Sequence, residues 1–169
     1  MQKLKYMKKL FLITTLLLVV ITTSHTQFIS SNLDLITDSL LIPEPSEDEL
    51  KQERIYYLWE AIKHMESRNG DKNYLIDTLA NSVGIAHIRP VMVDEVNRIV
   101  NSNRFTYEDR WDDHKSFQIF TIYMNYYNKD YHFEKGCRIW NGGPTGHKKS
   151  STLVYYDKAK LILNSLKNL

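Results

Sequence analysis

The stretch that decides the fold is Ser46–Gly70, SEDELKQERIYYLWEAIKHMESRNG. Ser46 and Glu49, three residues apart, are the two halves of a capping box, so a helix starts here. Leu50, Leu58, Ile62 and Met65 then recur at helical spacing, with Tyr57 and Ala61 beside them. The reading is one long amphipathic helix. It should end near Asn69-Gly70, where glycine takes the left-handed conformation at the first residue past the cap.

Working outward, the same grammar repeats. Residues 70–89 mix polar and apolar character and suggest a short helix around Leu75 to Ala80. Pro90 suits the first turn of a helix carrying Val91, Met92, Val93, Val96, Ile99 and Val100. Thr106 with Asp109 gives another start signal, and Phe117, Phe120, Met124 and Tyr127 form the stripe of the long helix after it. A short helix from Phe133 to Trp140 should stop at Gly142-Gly143-Pro144. The last helix should begin near Ser151 or Thr152 and bury Tyr156, Ala159, Leu163 and Leu166. No segment alternates with period two. The expectation is an all-α, or mostly α, single domain over residues 46–169.

Composition agrees with a folded domain. The chain has 169 residues, 43% hydrophobic and 25% charged, which excludes a wholly disordered or collagen-like chain. One cysteine, Cys137, excludes a disulfide scaffold and is expected to be buried. Net charge is +2, but Lys3, Lys5, Lys8 and Lys9 lie in the acid-free first 26 residues. The remainder has 18 of the 22 basic residues against all 20 acidic ones. Such a body lacks the basic surface that nucleic-acid binding requires. The first 26 residues read as an address instead: a basic segment, the apolar run Leu10 to Ile21, then Thr22, Thr23, Ser24 and Thr26. That order is a secretory signal, cleaved after Ser24 or Thr26, or else retained as an N-terminal anchor. Residues 27–45, with Pro43 and Pro45, read as a tether. The expected location is periplasmic or extracellular.

Glu66 is the first candidate for chemistry. It follows Ile62 by four residues and Trp59 by seven, so it borders the buried stripe at the helix end. A carboxylate there loses solvent, and the negative end of the helix dipole disfavours its charge. Both effects favour the protonated acid that could protonate a leaving oxygen. Position alone fits an exposed helix-end acid better.

The neighbouring segments add to this. Glu66-Ser67 is followed by Val83-Gly84-Ile85-Ala86-His87-Ile88-Arg89-Pro90, and later by Arg138-Ile139-Trp140-Asn141-Gly142-Gly143-Pro144. The three pieces, in this order, resemble the soluble lytic transglycosylase and goose-type lysozyme superfamily. The family shows Glu-Ser at a helix end, a Gly-Leu-Met-Gln-Ile-x-Pro-like loop entering a helix, and a Tyr-Asn-Gly-Gly-like turn. The resemblance spans roughly Glu53 to His147 and implies a lysozyme-like helical domain. It implies that Glu66 is the single catalytic acid and that Ser67 helps to hold it. It implies that Gly84, Ile85 and Ile88 shape a sugar groove, and that Trp140 and Asn141 face the acid. The implied substrate is peptidoglycan, cut between N-acetylmuramic acid and N-acetylglucosamine. His87 stands where the family has a substrate-contacting glutamine, Ala86 replaces a larger apolar residue, and Trp140 replaces tyrosine. The histidine makes the contact pH-dependent.

Most glycosidases use two carboxylates. Asp71 and Asp77 lie in the loop after Glu66, where caps and turns are the commoner role for such residues. With one acid, the substrate's N-acetyl group would assist, and either the C6 hydroxyl or water would complete the reaction. Tyr123, Tyr126, Tyr127, Tyr131 and Trp140 could supply sugar-stacking faces, Tyr123 or Tyr127 and Trp140 above all, or could simply be core. The histidines are scattered without metal-ligand spacing, so no zinc is expected. Gly142-Gly143-Pro144 with Lys148-Lys149 lacks phosphate-loop spacing. No cofactor is expected. The expected partner is the glycan strand, with cell-envelope machinery as a further possibility and a monomer as the working state. The rival readings are a catalytically weak wall-binding module of the same fold and an exported helical interaction domain whose motif matches are chance.

Overall fold

The computed structural model describes residues 44–168, and the segments read as address and tether lie almost wholly outside them. From Pro45 onward the chain forms one compact unit. It is mostly helical, as expected, with five α-helices among the described residues. They are α1 (Glu47–Ser67), α2 (Pro90–Val100), α3 (Asp113–Tyr127), α4 (Phe133–Gly142) and α5 (Leu153–Lys167). None is long and apolar enough to cross a membrane.

Helix α1 begins at the capping box read from the sequence. The Ser46 N–H donates to Glu49 Oε2 at 2.8 Å, and the Glu49 N–H donates back to Ser46 Oγ at 3.3 Å. Leu58, Ala61 and Ile62 are fully buried, with Ile55 and Trp59 nearly so. The helix stops at Ser67, two residues before the expected Asn69. Arg68 already takes the left-handed conformation (φ 53°), followed by Asn69 and Gly70. Helix α4 lies close against α1 because Gly136 has no Cβ: one built there would sit 2.4 Å from a Leu58 methyl.

Residues 70–89 correct the expected helix from Leu75 to Ala80. Lys72–Tyr74 make a 3₁₀ turn, and β1 (Ile76–Asp77) pairs antiparallel with β2 (Ser82–Val83), Ile76 opposite Val83. Strands of two residues are too short to show alternation, which is why period two was invisible. Val83 and Ile88 then exchange two backbone hydrogen bonds (3.2 and 3.0 Å), closing the tight loop Gly84–His87.

Distant residues hold this loop. Gly84 has φ +80°, and a Cβ there would lie 1.8 Å from the Arg110 carbonyl oxygen. The buried Arg110 guanidinium donates to the carbonyls of Tyr107, Asn81 and Ile88. Thr106 and Asp109 do form a capping box, but it starts a 3₁₀ turn (Tyr107–Trp111), and the cap of α3 is Asp112.

Phe120, Ile119, Met124 and Tyr131 from α3 and its following loop meet Trp59, Tyr123 and Trp140 in the core. Cys137 is fully buried there, and burial pushes its thiol up to about 12.

Candidate functional site

The C-terminal end of α1 and the Gly84–His87 loop meet at Ser67. This side chain is fully buried; its hydroxyl donates to the Ile85 carbonyl at 2.7 Å and accepts from the Gly70 N–H at 2.8 Å. A buried hydroxyl satisfied on both sides fixes the helix end against the loop. Ile85 and Ala86 turn into the core, at 9% and 0% exposure, and Ile88 is fully buried. His87 has φ 48° and stays partly open.

Glu66 therefore sits at a junction, its side chain 18% exposed. Two donors from remote parts of the chain hold its carboxylate. The Tyr155 hydroxyl, 89 residues away on α5, donates to Oε1 at 2.7 Å. His87 Nδ1 lies 3.2 Å from Oε2. On its other side, His87 Nε2 lies 2.5 Å from the Tyr74 carbonyl oxygen. A carbonyl only accepts, so Nε2 carries a proton. The Nδ1–Oε2 contact then holds one shared proton, either on histidine with an ionised Glu66 or on Glu66 with a neutral histidine.

The hydrogen bond to Glu66 raises the pKa of His87 above its ordinary 6.5, against desolvation, with help from the Tyr74 carbonyl and the charges of Glu66 and Asp77. Burial pushes the Tyr155 phenol well above its ordinary value, and the negative charge and hydrogen bond of Glu66 add to that. Tyr155 is thus a permanent donor. The arrangement can present a proton, take one back, and keep the carboxylate oriented meanwhile.

The sequence-predicted residues divide. Glu66, Ser67, Gly84, Ile85, His87 and Ile88 come together, but Ser67, Gly84, Ile85 and Ile88 are buried, which corrects their reading as groove-lining residues: Gly84 is pressed against the Arg110 carbonyl, and Ser67 bonds the Ile85 carbonyl and the Gly70 N–H, not Glu66. The aromatic set does not join them as expected. Tyr123 is a core residue, 2% exposed and edge-on to Trp140 at 6.2 Å, which corrects its reading as a sugar-stacking face. Trp140, 7% exposed, packs on Phe120 as well. The Tyr127 hydroxyl donates to Glu95, which Arg98 also grips through two nitrogens, so it belongs to a separate polar cluster. Asn141 is exposed at the end of α4, and neither it nor Trp140 hydrogen-bonds Glu66. Asp71 and Asp77 take the turn roles: Asp71 accepts from the Asn73 N–H, and Asp77 from the Leu79 and Ala80 N–H groups.

Sequence reasoning missed Tyr155. The apolar stripe of α5 was drawn through Tyr156, yet Tyr155, Ala159, Ile162 and Leu166 share helical spacing equally well. The Tyr155-Tyr156 doublet straddles the buried stripe, and both are half-buried.

Among the described residues, no cluster of three His, Cys, Asp or Glu side chains could hold a metal. The chain matches no family model, no curated protein and no solved structure.

Proposed function

We propose that this chain cleaves the β-1,4 bond between N-acetylmuramic acid and N-acetylglucosamine in peptidoglycan, with Glu66 as its single acid and base. The observation that carries the proposal is the setting of Glu66. Its carboxyl group is half-buried at a helix end, accepts a hydrogen bond from Tyr155 and shares a proton with His87, beside the Gly84–His87 loop. Carboxylates held in this way by partners from separate segments cluster at functional sites.

The steps follow from the proton count. In the neutral-histidine form, Glu66 holds the shared proton and gives it to the glycosidic oxygen as the bond to C1 breaks. The acetamido oxygen of the same sugar bonds to C1 and takes the developing positive charge. Glu66, now a carboxylate still oriented by Tyr155, removes the proton of the C6 hydroxyl. O6 displaces the acetamido oxygen from C1, giving a 1,6-anhydro sugar and returning the proton to Glu66. If water attacks instead, the product is a reducing end.

One observation favours a second reading. The His87–Glu66 contact stabilises an ionised carboxylate, the wrong form for a general acid. A binding module that holds the wall without turnover would have this property. Clearing of purified peptidoglycan by the wild-type chain, set against Glu66→Gln, decides between them. Clearing by wild type alone supports the enzyme; binding by both without clearing supports the module. Export through the N-terminal segment is part of the same proposal, because the substrate lies outside the cytoplasm.

A further inference from the structure

We propose that Arg68 and Tyr74 form a subsite beside Glu66 that reads a carboxylate-bearing sugar. The inference rests on the glycan reading above and adds to it the residues that select the carboxylate-bearing unit. Arg68 lies two residues past Glu66, and its guanidinium carbon sits 3.9 Å from the centre of the Tyr74 ring. The Tyr74 carbonyl is the group that holds His87, so the platform and the acid share one scaffold. Tyr74 is 38% exposed and Arg68 is exposed, in contrast to Tyr123 and Trp140.

The chemistry of the pair is specific. A guanidinium resting on an aromatic face keeps its N–H edge free for a partner. Arg54, Arg98 and Arg138 each pair with a glutamate, whereas Arg68, like Arg89, Arg104 and Arg110, takes part in none of the ion pairs among the described residues; of these four, Arg68 is the one stacked on the Tyr74 ring. Asp71, three residues further along the chain, is committed to the backbone and side-chain nitrogens of Asn73. An Arg edge without a carboxylate, beside an open aromatic ring, matches a sugar ring that carries a carboxylate. Peptidoglycan offers that group from two sources: the lactyl group of muramic acid where the peptide is absent, and the stem peptide where it is present.

The test titrates the full-length Glu66→Gln protein, which binds without turnover, with three tetrasaccharides. They are an N-acetylglucosamine tetramer without carboxylates, an alternating N-acetylglucosamine–N-acetylmuramic acid tetramer with free lactyl groups, and the same tetramer with peptide stems. The expected result is roughly tenfold tighter binding of a carboxylate-bearing tetramer over the uncharged one. Adding Arg68→Gln should erase the difference, and Arg68→Lys should restore only part of it, lacking the planar fork. Gln is as tolerable as Arg at the left-handed position, so the fold is not at issue. The tetramer preferred names the carboxylate source. Equal affinity for all three, no binding at all, or a preference that survives Arg68→Gln overturns the proposal. If the preference holds and wild type clears no wall, the cleavage reading falls and the subsite stands. If wild type clears the wall without the preference, the reverse holds.

Discussion

Tyr155→Phe removes one hydroxyl and leaves the ring in place. The bond lost is 2.7 Å long and ends on a carboxylate that is 18% exposed. Hydrogen bonds to charged groups contribute about 1.5–3 kcal/mol, and neutral ones about 1 kcal/mol. Glu66 keeps His87 as a second partner and some access to water, so the loss belongs at the lower end, about 1.5 kcal/mol. For a domain of this size that lowers Tm by roughly 5 °C. In a Glu66→Gln background the same substitution removes only a neutral bond, so the cost should fall to about 0.5 kcal/mol and leave a coupling near 1 kcal/mol. Urea unfolding of the four proteins measures all of these. A Tyr155→Phe cost that is the same in both backgrounds would refute the argument that the hydroxyl serves the charge on Glu66. In the glycan-cleavage assay, Tyr155→Phe should also lower kcat more than it raises KM, since it orients the acid and does not bind sugar.

Four further outcomes follow from the geometry. The His87 imidazole should titrate above 6.5 in the wild-type protein and lower in Glu66→Gln, read from its ring carbon protons by NMR; equal values would break the pairing. Because its folded value is raised, the pair's stability is complete below pH 6.5 and lost as pH rises through the folded value, and the alkaline limb of cleavage should fall over the same range. Gly84→Ala should destabilise by about 3 kcal/mol or more, since its Cβ meets the Arg110 carbonyl and the left-handed backbone adds about 1–2 kcal/mol; a loss under about 1 kcal/mol would mean that the loop is not wedged there. Cys137 should ignore a thiol reagent in the native protein and react fully in denaturant, with rapid native labelling as the contrary result.

The helices were legible because each carried its own signals. Ser46 with Glu49, Pro90, and Gly142-Gly143-Pro144 mark ends that local chemistry alone enforces. The hairpin was not, because it is held from elsewhere. Its two-residue strands depend on Arg110, which reaches the carbonyls of Asn81 and Ile88, and on Gly84 lying against that same residue's backbone. No window of sequence around Leu75 to Ala80 contains that information.

The site divides along the same line. Glu66, Ser67 and the Gly84–Ile88 loop are joined through Ser67, and the sequence order of the motifs anticipates that neighbourhood. His87 read as a substrate contact, yet its left-handed backbone puts Nδ1 beside Glu66. Tyr155 comes from a segment with no motif at all. The aromatic cluster misled because composition cannot separate a sugar-stacking face from a core. Tyr123 and Trp140 fill the space between α3 and α4, whereas Tyr74, whose carbonyl meets His87, keeps an exposed ring.

The central claim is that Glu66 moves the proton that cuts the glycan. The most direct measurement is the mass spectrum of soluble fragments released from purified peptidoglycan in heavy-oxygen water, wild type against Glu66→Gln. The account predicts fragments from wild type alone, with unlabelled anhydro ends if the C6 hydroxyl attacks and heavy-oxygen reducing ends if water does. Equal release by Glu66→Gln, or none by wild type that still binds the wall, contradicts it.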